Sequence, residues 1–454
     1  MTFSTDILTQ IQNIRTKFNL PNDPKIKPLS DLEKSKLPKL PNGWIWLTSN
    51  EISTFITNGV HAPTSLNDEL GINKKMLRIT DLQEGREPNF NNLPYCKRFV
   101  KGDYEKTIKK NDIYISFTGN NLGKRYLVKQ DNDNVVFAHY FVRWHPLVVN
   151  PVYIYYVLLS PHFDRFMYEH TLGSTQPNLK VTDLKRMPLP IPPLELQDRI
   201  ANLLSKFDEK IEINNAIIIK IEEIVQTLFK RWFIDIEFPN EEGLPYKSSG
   251  GKMIDSELGE IPDGWSVGAL HDISTIIMGQ SPKSDTYNSD GIGLPLINGA
   301  SDFKGGDINP NKYTTDPKKV TQVGDYIFGV RATLGNVTET NKEYAIGRGA
   351  GIARANEDKF KEYLYFQLIN AFNTFEQTAS GSVYLNISKN DLNGFKVIVP
   401  SENTVETFHL LTESMFRKKN LLFQENKKLA MLKDTLIIKI FSGEIEIPDE
   451  SVVV

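Results

Sequence analysis

The feature that most constrains this chain is that it is written twice. Pro41-Asn42-Gly43-Trp44 returns as Pro262-Asp263-Gly264-Trp265, and Glu51-Ile52-Ser53-Thr54 as Asp272-Ile273-Ser274-Thr275, both shifted by 221. Asn111-Asp112-Ile113-Tyr114 pairs with Gly324-Asp325-Tyr326-Ile327 at a shift of 213. Gly173-Ser174 and Asn178-Leu179 pair with Gly381-Ser382 and Asn386-Ile387 at 208, as Pro192 does with Pro400. Asp235-Ile236-Glu237-Phe238-Pro239 pairs with Glu444-Ile445-Glu446-Ile447-Pro448 at 209. The matches stay in order while the shift drifts slowly, as loop-length differences would produce. A fold built from this chain must therefore accommodate two sibling units.

Each copy has the same internal order. Strand-rich sequence comes first, with Lys110 to Thr118 and Val323 to Val330 reading as buried strands closed by Gly and Asn. The proline runs Met187 to Pro193 and Phe395 to Pro400 then read as exits from the globular part. A long helix follows each exit. In the first, Ile200, Leu204, Phe207, Ile211, Asn214, Ile218, Ile221, Val225, Leu228 and Trp232 step by alternating fours and threes. That seam belongs to a helix packed along its length on another, and Asn214 is its one polar position, a residue type that fixes register when buried. At 1.5 Å per residue this stretch is about 48 Å long. In the second helix Phe408, Leu411, Met415, Leu422, Leu429, Leu432 and Leu436 hold a looser seam, interrupted by Lys418 and Glu425. The obvious partner of each helix is the other.

The expected fold class is α+β: two similar domains alternating with two long helices that pack as an antiparallel coiled coil, pseudo-two-fold symmetric. The expected divisions are an N-terminal helical extension over 1–36, a first domain over 37–193 and a first helix over 194–239. A polar, Gly-rich linker over 240–261, a second domain over 262–400, a second helix over 401–448 and a tail over 449–454 complete the chain. Ile7, Ile11, Ile14 and Phe18 stand at helical spacing in the extension, which would cap a helix or meet a partner.

At 454 residues and roughly 100–200 per domain, two to four domains fit. A hydrophobic fraction of 40% and a charged fraction of 24% exclude a wholly disordered chain. The net charge of −3 gives no global basic field, so a nucleic-acid surface would have to be local. The single cysteine, Cys96, rules out an internal disulfide and a cysteine zinc cluster. No stretch resembles a signal peptide or approaches the ~20 apolar residues of a membrane span, and a cytoplasmic protein is expected. No phosphate loop, His-Glu-x-x-His, Cys-x-x-Cys or Asn/Asp-Pro-Pro-Tyr/Phe pocket is present, and the seven histidines are scattered away from metal-ligand spacing. Gly347-Arg348-Gly349-Ala350-Gly351 reads as a turn or close backbone contact, not a dinucleotide site. A self-contained enzyme is not expected.

The repeated Pro-x-Gly-Trp, the helix entry Ile191-Pro192-Pro193-Leu194-Glu195-Leu196-Gln197-Asp198-Arg199-Ile200 and the segment Ser256-Glu257-Leu258-Gly259-Glu260-Ile261-Pro262-Asp263-Gly264-Trp265 together resemble the DNA-specificity subunit of type I restriction–modification systems. The resemblance spans nearly the whole chain. It implies two target-recognition domains, each reading one half of a split double-stranded DNA target, and helices that set the gap and dock two modification subunits. It implies that those partners carry S-adenosylmethionine and methylate adenine at N6, and that restriction subunits using ATP and Mg cut DNA in antiviral defence. This chain would bind no cofactor or metal and catalyse nothing itself. The second helix begins Pro400-Ser401-Glu402-Asn403, without the Pro-Pro and Gln-Asp-Arg of the first, so partner docking need not be symmetric. The same architecture also suits a methylation-only or fused-nuclease system, or a scaffold that no longer reads DNA.

For a DNA-reading chain, charge favours the first domain. Residues 37–190 hold 19 Lys and Arg against 14 Asp and Glu, whereas residues 262–400 hold 13 against 15. Lys97-Arg98, Lys101, Lys106 and Lys109-Lys110 cluster in the first. Base reading calls for polar and basic side chains on held loops. The candidates are Asn120, Asn121, Lys124 and Arg125, aligned with Arg331, Thr333 and Asn336, together with Ser174 and Gln176, Arg348, and Ser382 and Tyr384. Asx turns or helix caps would equally use the asparagines. Lys124→Ala is expected to weaken binding to every sequence and Arg331→Ala to relax preference at defined bases.

Overall fold

The computed structural model describes residues 2–17, 26–56, 59–82, 88–171, 178–304, 306–330, 336–378 and 387–448, with side chains throughout except at 2–7, 11, 14, 56, 120 and 304. Its contacts divide the chain into two compact units, Met1–Glu212 with Lys427–Val454, and Ile213–Asn426. Each unit therefore holds one strand-rich domain and a portion of both long helices.

In the first unit Gly43 takes a left-handed φ of 81°, which lets the Trp44 N–H reach the Pro41 carbonyl at 3.2 Å and turns the chain into its first strand. That strand, Ile45–Thr48, pairs antiparallel with Pro188–Ile191, Trp46 opposite Pro190 and Thr48 opposite Pro188. The proline run is thus a strand and not merely an exit. Its two prolines fall on alternate positions of a two-stranded ladder, where the missing N–H points away from the partner. The Tyr153 hydroxyl donates to the Pro190 carbonyl at 2.5 Å and locks the ladder to the helix Pro151–Leu158. A four-stranded sheet follows, ordered Ser53–Ile56, Phe141–Pro146, Ile113–Ser116, Arg125–Leu127. A five-stranded sheet, from Thr64–Ser65 through Tyr95–Cys96, Lys75–Leu77 and Asn132–Phe137 to Thr107–Ile108, has its own core, in which Cys96 is buried and its thiol pushed up to about 11 by that burial.

The second unit repeats the plan. Gly264 has φ 87° and the Trp265 N–H reaches the Pro262 carbonyl at 3.0 Å. Ser266–Ala269 pairs with Lys396–Val399, and the Tyr363 hydroxyl donates to the Ile398 carbonyl at 2.5 Å. The sheet order Ser274–Met278, Ala350–Ala355, Tyr326–Gly329, Val337–Glu339 matches that of the first unit strand for strand. Both central strands start later than their apolar runs suggest, because Asn111 (φ 70°) and Gly324 (φ 89°) take left-handed turns immediately before them. The next residue is a buried aspartate in each. Asp112 meets His145 at 2.8 Å, and Asp325 meets Arg354 through two bonds of 2.7 Å. His145 and Arg354 hold the same ladder position, so the cation differs while the anchor is kept.

The helices Leu194–Phe229 and Glu402–Ser442 pack antiparallel within each unit. In the first, Ile200 and Leu204 share a core with Ile437 and Ile440, and Asp208 meets Lys433 at 2.5 Å. In the second, Asn214 donates to Glu425 and Asn426 at 2.8 Å each, Lys419 faces Glu222 at 3.4 Å, and Trp232 packs on Phe408 with ring centroids 5.8 Å apart. Every expected seam residue of the first helix is buried or half-buried, and Asn214 is fully buried. The helix ends in a π-helical turn, Lys230–Ile234, that seats Trp232 and Phe233.

The second helix differs from expectation. Phe408, Met415, Leu422, Leu429 and Leu436 face inward, but Leu411 and Leu432 are 47% and 55% exposed. Their places are taken one residue later by Thr412, Lys419, Asn426 and Lys433, spaced by seven between Val405 and Ile440. The lysine chains are shielded, only 12% and 13% exposed, because each finds a carboxylate in its own unit.

The expected linker over 240–261 is ordered structure. Phe238 stacks on Tyr246 at 4.6 Å and on Trp265 at 5.0 Å, and Met253–Ser256 forms a hairpin with Gly259–Pro262. Aromatic stacking holds the segment despite its polar, glycine-rich composition. The N-terminal extension forms a helix, Thr2–Lys17, whose Arg15 donates to the carbonyls of Asn50 and Glu51 at 2.7 and 2.6 Å. It thus meets the C-terminal carbonyls of a short helix in its own unit. Ile7, Ile11 and Ile14 have no described side chains, and Phe18 lies outside the described residues. Among the described residues, no helix is long and apolar enough to cross a membrane.

Candidate nucleic-acid interface

In the first unit the described residues at the edges of two nominated segments meet. Thr118 bridges Asn178, and the Leu179 N–H reaches the Phe117 carbonyl at 2.9 Å. Gly123, just past the turn Gly119–Asn121, lies against Met167 and Phe163 of the helix Pro161–Thr171. Gly123 has φ 81°, so a side chain there would be strained. Lys124 is exposed and has no carboxylate partner among the described residues, and Asn121 is half-buried. Arg125 is committed inward: it lies over the Phe163 ring at 5.0 Å and reaches Asp164 at 3.4 Å and the Gly123 carbonyl at 3.3 Å. It holds the loop on the helix and is a poor candidate for a DNA contact.

The lysine cluster is partly spent on internal pairs. Lys97 meets Glu69 at 3.0 Å, Lys106 meets Asp103 at 2.9 Å, and Lys109 pairs with Asp133. These partners lower the Glu69 carboxyl, after the hydrogen bond from Ser65, and the Asp133 carboxyl, where Lys109 dominates. The exposed pairs Lys97–Glu69 and Lys109–Asp133 are screened and weak, so they lend themselves to exchange for a phosphate, whereas Asp103 is buried and keeps Lys106. Arg98 and Lys101 are exposed.

At one end of each domain, three segments far apart in sequence run side by side. In the first unit the Val60 N–H reaches the Phe137 carbonyl at 2.8 Å and the Ala138 N–H reaches the Leu77 carbonyl at 3.1 Å, joining residues 60–61, 77–78 and 138–140. Gly59 makes the approach possible, since a Cβ there would stand 2.4 Å from the Phe137 and Ala138 oxygens. In the second unit the Gln280 N–H reaches the Ile346 carbonyl at 3.0 Å and the Gly347 N–H reaches the Ile297 carbonyl at 2.7 Å. Gly279 is the counterpart of Gly59, with a Cβ position 2.2 Å from the Gly347 oxygen. The glycine run 347–351 is a set of close backbone contacts, as its composition suggests: Gly349 would place a Cβ 2.1 Å from the Asn298 oxygen and Gly351 one 2.4 Å from the Phe328 ring.

This notch collects residues that sequence reasoning missed. His61 and His139, scattered by number, stand edge to face with centroids 4.3 Å apart, and His139 packs on Tyr140 at 4.5 Å. Partial burial, then the neighbouring His61, lowers the His139 ring below the usual histidine range. At matched positions the second unit places Ser281 and Arg348. The Arg348 side chain is exposed, and its backbone N–H donates to the Ser281 hydroxyl at 3.3 Å. The Val330 N–H reaches the Gly349 carbonyl at 3.2 Å, so Val330 lies beside the residue that follows Arg348. Asn336 is half-buried at the next strand. Ser174, Gln176, Arg331, Thr333, Ser382 and Tyr384 lie outside the described residues, and the Asn120 side chain is not described. Only shared distance along the duplicated pattern could have singled out residues 61 and 139 beforehand. Among the described residues, no group of three His, Cys, Asp or Glu is placed to hold a metal ion.

Comparison with known proteins matches this duplication. The sequence profile described as the type I restriction modification DNA specificity domain matches residues 41–223 and 262–413, starting each time at the proline of a Pro-x-Gly-Trp turn. The chain is 28% identical over 383 residues to the specificity subunit assigned to the type I restriction enzyme MjaX of Methanocaldococcus jannaschii, covering 82% of this chain and 86% of that one. It is 24% identical over 414 residues to the type I restriction enzyme HindI specificity subunit of Haemophilus influenzae, covering 76% and 89%. In fold it is similar to the crystal structure of a type I restriction–modification S subunit from M. genitalium, with a TM-score of 0.55 at 17% identity over 90% of this chain and 98% of that one. With both halves matched and the same domain plan built twice, the chain belongs to the type I restriction modification DNA specificity family.

Proposed function

We propose that this chain reads DNA for a type I restriction–modification complex, each domain reading one half of a bipartite target. One observation carries the reading: a common framework presents different side chains at matched positions, His61 against Ser281 and His139 against Arg348. Conserving the scaffold while changing its end groups is what two different half-sites demand, because base edges are told apart by their donor and acceptor patterns. The held loop bearing Lys124 suits phosphate contact, which positions a protein without specifying sequence.

The chain itself performs no bond-breaking step in this reading. Two modification subunits dock along the helices, bind S-adenosylmethionine and methylate adenine in each half-site. Restriction subunits using ATP and Mg complete the assembly in the cytoplasm. The differing helix entries, with Gln197 buried against Asn150 and Pro192 in the first and Ser401 and Thr404 bonded to each other at 2.8 Å in the second, favour docking surfaces that are similar but not identical.

The test is to express the chain with its modification subunits and map methylated adenines by single-molecule sequencing. A split motif with two unlike halves is the expected result; scattered or absent methylation would end the reading. In the same complex, Lys124→Ala should lower affinity for all sequences alike and reduce the salt dependence by about one phosphate contact. A change in the motif itself would make Lys124 a base reader.

A further inference from the structure

In the notch of the first domain Arg78 has its guanidinium fixed from one side. Arg78 follows the strand Lys75–Leu77 and lies beside residues 138–140. Asp81 holds its guanidinium from one side: Nε donates to Oδ2 at 3.0 Å and Nη2 donates to Oδ1 at 2.8 Å. The same carboxylate accepts the Arg78 backbone N–H at 2.8 Å, so it is itself fixed by the turn Ile79–Asp81. This clamp uses the Nε edge of the fork and leaves the end edge, Nη1 with the second hydrogen of Nη2, as two parallel donors. The side chain is 35% exposed and its carboxylate 14%.

We propose that Arg78, positioned by Asp81, reads a guanine in the first half-site through O6 and N7, with His61 and His139 flanking it. The inference rests on the DNA-reading function above and names one of its specificity determinants. Guanine alone offers two adjacent acceptors in the major groove that match a fork of two donors. A prepaid orientation spares the arginine the rotamer entropy it would otherwise lose on binding. Arg354 provides the contrast. It is clamped just as tightly by Asp325, but Asp325 is buried at the start of a central strand, and Thr275 stands opposite Arg354 in the ladder, far along the strand from Arg348. That pair is an internal anchor. In the second domain the place of Arg78 is taken by Asn298, whose backbone N–H likewise donates to a turn carboxylate, Asp302, at 2.7 Å. The turn carboxylate is kept, one residue further along with Gly299 at the start of the turn, and the reading group is exchanged, so the second half-site should not demand guanine at the matched position.

The experiment is methylation mapping, and binding to a randomised target library, with the assembled modification complex carrying Arg78→Ala, Arg78→Lys or Asp81→Asn. Arg78→Ala should cut discrimination at one G·C pair of the first half-site by about 5- to 150-fold, leaving the second half and the gap unchanged. Arg78→Lys keeps the charge but loses the fork, and should relax the same pair. Asp81→Asn keeps an oxygen for the turn and should relax that pair less. The unchanged second half reports that the complex is folded. An unaltered motif, an even loss of affinity over all sequences, or full guanine preference in Arg78→Lys would overturn the assignment. A wild-type complex that selects no motif would instead bring down the DNA-reading function on which it rests.

Discussion

Gly279→Ala should unfold or severely loosen the second domain, although it adds one methyl group. The new Cβ would stand 2.2 Å from the Gly347 oxygen, 2.6 Å from the Ala350 oxygen and 2.6 Å from an Ile346 methyl. Two of those three neighbours are backbone carbonyls, Ala350 on the strand that also pairs with Tyr326–Gly329 and Gly347 just ahead of the turn that leads into it, so neither can yield as a flexible side chain would. Overpacking of a rigid site costs about 3 kcal/mol or more, which lowers the melting temperature of a domain this size by about 6–12 °C. Gly59→Ala should do the same to the first domain, where both facing atoms at 2.4 Å are carbonyl oxygens. Gly299→Ala is the internal control: its backbone is extended, its nearest neighbour is 3.8 Å away, and its effect should stay within about 0.5 kcal/mol. Thermal unfolding of the three variants checks the order. Equal melting temperatures would mean that the notch is not held by close backbone packing.

Lengthening both helices by seven residues should change the DNA target without changing either half of it. Seven is the repeat of the buried polar series Thr412, Lys419, Asn426 and Lys433, so duplicating Asp208–Asn214 and the facing Asn426–Leu432 keeps every later seam residue in phase. The insertion adds about 10.5 Å of helix, the rise of about three base pairs. The methylated motif should therefore show the same half-sites with a gap about three base pairs longer. Altered half-sites would show that the helices are not the ruler, and an unchanged gap would show that the spacing is fixed elsewhere. Inserting in one helix alone should destroy assembly, because Asp208 and Lys433 would lose each other in one unit and Asn214 and Asn426 in the other.

The two halves of the coiled coil show where sequence reading succeeds and stops. The first helix announces its seam because nine of ten inward positions are apolar, and the tenth, Asn214, is interpretable from its place in the series. The second helix conceals half of its seam. Leu411 and Leu432 look like seam residues and lie outside, while Thr412 and Lys419 look like surface and lie inside. Periodicity detects positions where burial demands an apolar side chain; it misses a buried lysine whose partner, Glu222 or Asp208, is supplied by a segment about 200 residues away. The lysine cluster shows the converse. Its residues are adjacent in sequence and Asp103 is a local partner of Lys106, but Glu69 and Asp133 converge on Lys97 and Lys109 only after folding.

The amino-acid order alone determined the duplication, the alternation of strand-rich domains with long helices, and the family, because repeats and turn signals such as Pro-x-Gly-Trp are local and survive as words. Tertiary structure alone decided which face of the second helix is inside, that the 240–261 segment is a stacked and paired element, and that residues 61, 78 and 139 form one notch. The notch depends on hydrogen bonds such as Val60 to Phe137 and Ala138 to Leu77, and on the missing side chain at Gly59 that admits them. Such pairings join residues about 60 to 80 positions apart, and no window along the chain contains both partners.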